Sequence, residues 1–384
     1  MTRDLPLVEL AGTPREQGLW HGAAAERAIA ENVATYMERF AAIGKVAPEE
    51  IRRRASAYRR VIEKASSDYA AAMDGIAEGS GQEILDVVAL NVRYEILYSE
   101  FAHRGMERTL AGPSAVGGCT SFALLPSRTA NGHLLIGQNW DWIPEVRGLV
   151  VRRRDGVSPD QLAFTEAGIA GAKIGLNAAG VGLAINGLVS NLDSWSRLRK
   201  PFHVRCWEIL AARTLPEAEL AITSSKRSCS TNFVLAQAGD GGHVVDLEAA
   251  PDNECRLAPT NGYLTHTNHF SNPDGLGIWQ PLAEDKPSTF DRYARVEEIL
   301  GGWAAKDRKV SVEDLKRMLR DHANSPRSLC RHQDMSLAPE LRYETVVSVI
   351  LDLDAGEMYI ASGTPCRARY RRIPIARGAD TQRH

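Results

Sequence analysis

The sequence predicts an α+β fold in which antiparallel sheet is covered by helices. Three observations predict it. Residues up to about 105 read as mostly helical, residues from about 119 onward are dominated by short apolar runs separated by turn residues, and helices recur there only as interludes. A doubly wound parallel sheet needs regular alternation of strand and helix, which this order does not offer.

The elements follow in turn. "LPLVEL" reads as a short strand that turns at Gly12, and Pro14 suits a first helical turn. Ile29, Val33, Met37 and Phe40 keep a 3.6-residue rhythm. "PEEIRRRASAYRRVIEKA" predicts a second helix with a basic outer face, and "EILDVVALNVRYEILYSEF" a third, largely buried one. "ERTLAGPSAVGG" is a polar run with glycine and proline that ends any helix. "CTSFALLP" and "GHLLIGQNW" then flank Asn131-Gly132, a pair suited to a tight hairpin. "LVVRRR", "QLAFTEA", "AKIGLNAAGVGLAING", "TNFVLAQAGDGGHVVDLE" and "YLTHTNHF" continue the strand pattern. Helical interludes are expected at "KPFHVRCWEIL", "STFDRYARVEEIL" and "SVEDLKRML", and a closing hairpin at "ETVVSVILDLDAGEMYIAS".

With 384 residues the chain is long enough to bury a substantial core. Its 46 basic and 48 acidic residues are mixed throughout, for a net charge of -2, so no polybasic field points to nucleic acid or an anionic membrane. The expected partner is a small molecule. No window carries the 18 or more apolar residues of a membrane span, and the first residues lack the pattern of a secretory signal. The expected location is cytoplasmic. The last residues, "TQRH", are not a peroxisomal address. Cys119, Cys206, Cys229, Cys255, Cys330 and Cys366 are spread singly, with no C-x-x-C pair, and most are expected to be small buried hydrophobes.

The stretch "GGCTSF" at 117–122 stands apart. Gly117 and Gly118 permit backbone conformations that other residues resist, and Gly118 leaves its own carbonyl open to attack by the next side chain. That geometry suits self-cleavage. The Cys119 thiol would attack the Gly118 carbonyl, exchanging amide for thioester, and water would release the upstream segment. A freed α-amine has a pKa near 8, so Cys119 would then carry both nucleophile and base.

"GGCTSF" followed by "NGHLLIGQNWDW" resembles the acyl-CoA:6-aminopenicillanic acid acyltransferase family of N-terminal nucleophile hydrolases. "GTPREQGLWHG", "LNVRYE", "STNFVLAQ", "DLE" and "THTNHF" are similar to further motifs of that family in the same order, from about residue 10 to 360. The resemblance implies an αββα sandwich cut between Gly118 and Cys119. Residues 1–118 would form a mainly helical α-subunit and residues 119–384 a catalytic β-subunit of 384 − 118 = 266 residues. The two fragments would stay together as one heterodimeric domain. Implied activities are hydrolysis of a small N-acyl amide, β-alanyl amides included, or acyl transfer from a coenzyme A thioester. Fold does not choose among them.

The resemblance also assigns roles. Asn268 in "HTNHF" matches the family asparagine of the oxyanion hole, and Asp141 in "QNWDW" the aspartate near the nucleophile. Asn139 could serve the same network. Arg342 in "LRYETVVS" lines up with a family arginine before the penultimate strand, although Leu341 stands where a hydroxyl residue is expected. A guanidinium there could hold Asp141 ionised or grip a substrate carboxylate. Thr120 and Ser121 could donate hydrogen bonds during self-cleavage, or be ordinary strand residues. Trp140 and Trp142 could wall an acyl or aromatic pocket, or belong to the core. His266 and His269 invite a metal reading, but no acidic third ligand is obvious nearby, and "AGVGLAING" is too loose for a dinucleotide site. The expectation is therefore no metal and no cofactor. The remaining alternative is an inactive, uncut binding homologue, against which the presence of Gly118, Cys119, Asp141 and Asn268 argues.

Overall fold

A computed structural model describes residues 5–106, 118–281 and 288–375. Strand β1 (Leu7–Ala11) leads into helices α1 (Pro14–Ala24), α2 (Glu26–Gly44), α3 (Pro48–Ala65), α4 (Ser67–Ser80), α5 (Ile84–Asn91) and α6 (Arg93–Met106). Local chemistry sets several of these ends. Thr13 caps α1 in a reciprocal box with Glu16, with Pro14 in the first turn, and Ser66 caps α4. The rhythm of Ile29 and Phe40 is that of α2, while Val33 and Met37 pack at its edge. The single helix expected over 83–101 is two, α5 and α6, divided at Val92.

The second part supplies β2 (Thr120–Leu124), β3 (Leu135–Trp142), β4 (Gly148–Arg154), β5 (Gln161–Glu166), β6 (Ile174–Asn177) and β7 (Val181–Gly187). Helices α7 (Phe202–Ala211) and α8 (Leu215–Thr223) precede β8 (Thr231–Gln237), β9 (His243–Ala249), β10 (Glu254–Leu257) and β11 (Tyr263–His266). Helices α9 (Ser288–Ala305) and α10 (Val312–Met318) come next, then β12 (Glu344–Asp352), β13 (Glu357–Ser362) and β14 (Arg371–Pro374). Helix α8 escaped the sequence analysis, yet its start is written in "RTLPE": Thr214 caps the backbone N–H of Glu217, with a proline in the first turn.

Among the described residues the strands form two sheets. One has eight strands in the order β1-β4-β5-β6-β7-β8-β9-β10, the other six in the order β11-β2-β3-β12-β13-β14. Every pairing is antiparallel except that of β1 with β4. The sheets stack face to face: an added Cβ on Gly182 of β7 would meet Ile136 of β3 and Leu353 just after β12. Helices α7 and α8 lie on β6, β7 and β8. Helices α9 and α10 cover the other sheet, where Val296, Leu300, Leu315 and Met318 pack on Phe122, Leu124, Leu135 and Ile350. The result is an αββα sandwich.

Strand alternation then sorts the functional residues. On β2, Thr120, Phe122 and Leu124 face the α9 layer, whereas Ser121 and Ala123 face the opposite sheet. On β3, Leu135 and Asn139 point outward and Ile136, Gln138, Trp140 and Trp142 inward. In the inward core Glu166 binds Arg93, Lys173 and Tyr36, and Trp142 Nε1 donates to Tyr36 at 2.6 Å. Burial works against the Glu166 charge, but the two cations outweigh it and hold the carboxyl at about 2. Among the described residues no helix is long and apolar enough to cross a membrane.

The N-terminal helices cross at backbone contact. Gly18 and Gly22 of α1 face Gly75 and Gly79 of α4, and a Cβ on Gly75 would lie 2.1 Å from the Arg15 carbonyl oxygen. Only hydrogen fits at that distance. Gly75→Ala should therefore lower stability by about 1–3 kcal/mol. Gly302→Ala on α9, where the new Cβ meets nothing within 4 Å, should leave it unchanged or raise it slightly. Thermal unfolding of the two variants beside wild type checks this, and equal midpoints would mean the crossing relaxes freely.

Candidate active site

Cys119 sits one residue before β2, buried to 3 % exposure, with its Sγ 3.9 Å from the Asp141 carbonyl oxygen. Gly118 precedes it in a tight space: a Cβ there would lie 2.9 Å from Asp141 Oδ2 and would displace the end of the Arg331 side chain. The Gly118–Cys119 junction is thus pressed against a carboxylate and a guanidinium. Gly117 and the rest of 107–117 lie outside the described residues.

Asp141 is fully buried near the end of β3. Thr345 Oγ1 donates to its Oδ1 at 2.7 Å, while Oδ2, the oxygen nearest Gly118, has no hydrogen-bond partner among the described residues. Burial raises its pKa to about 7, against the opposing pull of Arg292 and Arg331. Burial, followed by repulsion from Asp141, pushes the Cys119 thiol up to about 12. At neutral pH the site therefore holds a protonated thiol beside a carboxyl poised between its two forms.

Asn268 follows β11, and its backbone N–H donates to Thr289 Oγ1 at 2.7 Å. The guanidinium of Arg292, one turn along α9, donates to the carbonyl of Cys119, to Thr120 Oγ1 at 3.0 Å and to Asn268 Oδ1 at 3.0 Å. Arginine has no acceptor, so the amide must present its oxygen to Arg292 and its nitrogen to the other side. There Nδ2 donates to the Gly187 carbonyl at 3.0 Å. Arg292 thereby fixes which way Asn268 faces.

Of the residues singled out from sequence, the structure gathers Gly118, Cys119, Thr120, Asp141 and Asn268. It does not gather Arg342. That guanidinium donates to the carbonyls of Leu337 and Met335, and the arginines acting on Asp141 are Arg331 and Arg292. Arg331 arrives instead from the loop before β12, where its backbone N–H donates to Thr345 Oγ1 at 3.0 Å and its carbonyl accepts from the Thr345 N–H. Trp140 and Trp142 are each 2 % exposed and stacked 5.9 Å apart in the inter-sheet core, under Lys173 and Arg93 respectively. Asn139 Nδ2 binds the carbonyls of Leu319 and Leu329, and Ser121 donates to Asn186 Oδ1. His266 is engaged by Glu248 and the Thr267 carbonyl, and His269 by the hydroxyls of Thr267 and Thr289.

Sequence reasoning missed Arg292, Arg331 and Thr345. Arg292 left a signal: it falls on the α9 stripe that also carries Thr289, Val296 and Leu300, where a charge needs a buried partner. Arg331 and Thr345 left none, because only the tertiary path brings them to β3.

Against known proteins, the acyl-coenzyme A:6-aminopenicillanic acid acyltransferase profile matches residues 127–367, more than half of the chain. The chain belongs to that family. The matched segment begins after Cys119, so the stretch at 117–122 lies outside it. The acyl-coenzyme A:6-aminopenicillanic-acid-acyltransferase 40 kDa form of Emericella nidulans is 28% identical over 364 residues, 93% of this chain and 92% of that protein. Among solved structures, the conjugated bile acid hydrolase of Clostridium perfringens gives a TM-score of 0.45 at 13% identity, covering 67% of this chain and 92% of that one. The Caenorhabditis elegans ortholog of N-acylethanolamine-hydrolyzing acid amidase gives 0.43 at 14%, covering 61% and 93%.

Arg292→Met would strip the donor from the Cys119 carbonyl and from Asn268 Oδ1 together. The expected cost is about 2–5 kcal/mol, with Arg292→Lys recovering only part of it because one ammonium cannot span the fork. Thermal midpoints near wild type for Arg292→Met would show the bridge to be dispensable.

Proposed function

We propose that this chain is a self-cleaving N-terminal-cysteine amidohydrolase that hydrolyses a small N-acyl amide through an acyl-Cys119 intermediate. The observation that carries the reading is the Oδ2 of Asp141, unpartnered among the described residues, against the Gly118–Cys119 junction. In the uncut chain this carboxylate takes the thiol proton, and Sγ attacks the Gly118 carbonyl carbon. The tetrahedral adduct collapses with cleavage of the C–N bond, and the departing nitrogen of Cys119 takes up the proton. Water then hydrolyses the thioester. The products are a chain ending at Gly118 and one beginning with Cys119.

In the matured enzyme the new α-amine stands where the peptide nitrogen was, beside Asp141. With a pKa near 8 it serves as base for its own thiol. Sulfur attacks the substrate carbonyl. Asn268 Nδ2 has two N–H donors, one directed to Gly187, and supplies the other to the oxyanion. The amine product leaves with the proton from the α-ammonium, and water clears the acyl group by the same route.

A second reading is acyl transfer from a coenzyme A thioester to an amine, supported by the name of the 28% identical relative. It shares the acyl-Cys119 intermediate and differs in the acceptor. Turnover that requires an added amine acceptor, with no acid released in its absence, would favour transfer over hydrolysis.

Intact mass under denaturing conditions is the direct test. Wild type should give two fragments meeting at Gly118 and Cys119, and Cys119→Ala a single uncut chain without activity. Asn268→Ala should still be cut while turnover falls by about 10²–10³-fold. A single full-length mass in wild type would instead make this an uncut homologue.

The pH dependence has a defined sign. Asp141 is protonated below about 7 and ionised above it, and only the ionised form accepts the thiol proton. Self-cleavage of freshly refolded chain should therefore accelerate about tenfold per pH unit up to about 7 and then level. Asp141→Asn should abolish that dependence along with most of the rate; a flat wild-type profile from pH 5 to 8 would remove Asp141 from the role.

A further inference from the structure

The sequence suggested no metal site, yet four side chains converge at the loop that carries Arg331. His322 and His332 lie on the loop after α10 with Cys330, and Cys366 lies on the turn after β13. One ligating atom from each falls within 4.8 Å of all the others. His332 Nε2 is 3.1 Å from His322 Nε2, 3.4 Å from Cys366 Sγ and 3.7 Å from Cys330 Sγ.

Hydrogen bonding alone does not account for this. A neutral imidazole nitrogen offers either one lone pair or one N–H, and this one has three polar neighbours. A cation at the centre removes the conflict. With Zn–S near 2.3 Å and Zn–N near 2.0–2.1 Å, a tetrahedral ion sets its ligand atoms roughly 3.3–3.8 Å apart; both sulfurs stand at that spacing from His332, and His322 is slightly closer at 3.1 Å. Two thiolates and two imidazoles select zinc over hard cations, and two thiolates balance its charge.

We propose that His322, Cys330, His332 and Cys366 bind a structural zinc ion that clamps the 319–332 loop to the turn at 364–368. The two segments already meet: Arg320 Nε donates to the Pro365 carbonyl at 2.9 Å. Four protein ligands close the coordination sphere, so the ion holds structure and takes no substrate. What it holds is the loop that carries Arg331. The backbone of that residue bonds Thr345 in both directions at 3.0 Å, its guanidinium reaches Gly118, and the neighbouring Leu329 carbonyl accepts from Asn139. The clamp is independent of which acyl group Cys119 accepts.

The test uses full-length protein without a polyhistidine tag, kept under reductant and purified without chelator. Elemental analysis should find about one zinc per chain. After chelator removes it, added cobalt should give the intense d–d bands of tetrahedral coordination together with a thiolate-to-cobalt charge-transfer band. His322→Ala and Cys366→Ser alter exposed side chains and should keep the wild-type circular dichroism spectrum. Each should lose the metal or the charge-transfer signature, and chelator should lower the thermal midpoint of wild type alone. Wild type that neither carries zinc nor develops the cobalt spectrum overturns the proposal, because that measurement needs no variant. Full zinc content in both variants also overturns it.

Discussion

A buried guanidinium holds the site together. Arg292 is donor only, and it reaches the carbonyl of Cys119, the hydroxyl of Thr120 and the amide oxygen of Asn268 from one helix. Those three residues belong to the start of β2 and the end of β11, adjacent strands of the six-stranded sheet. Helix α9 is in turn held by the apolar stripe of Val296 and Leu300 against Phe122 and Leu124. Packing therefore places the arginine, and the arginine orients the polar groups around Cys119.

The same burial that permits this arrangement holds the thiol in check. A thiol pushed up to about 12 attacks only when a base takes its proton, and the group beside it that can do so is Asp141, near 7. Under the proposed function, cleavage changes the local chemistry without moving the sulfur, because it places an amine where an amide nitrogen had been. Asp141 then changes from proton acceptor to partner of an ammonium. Two arginines nearby keep its ionised form accessible.

The two halves of the sandwich stay together through buried polar groups as well as apolar area. Tyr36 and Arg93 come from the helical N-terminal segment and bind Glu166 of β5, while Trp142 of β3 donates to Tyr36. Tyr94 and Tyr58 reach the carbonyls of Ser230 and Trp195. Such contacts bind residues 5–106 to the two sheets.

Much of the fold was legible in the sequence. Period-2 and period-3.6 patterns, capping boxes and turn pairs are local, and they specify helices up to Met106 and antiparallel strands beyond Thr120. The glycine before Cys119, the membership of the family and the candidates Asp141 and Asn268 could also be read from linear motifs. The sequence by itself did not determine the partners of those residues. Whether Arg342 or Arg331 reaches Asp141 depends on the loop that bonds Arg331 to Thr345, and whether Trp140 faces a pocket or the core depends on the side on which the second sheet stacks. His322, Cys330, His332 and Cys366 meet only because β13 returns the chain beside the loop after α10. These are long-range consequences of register and packing, decided by which polar groups can satisfy one another once water is excluded.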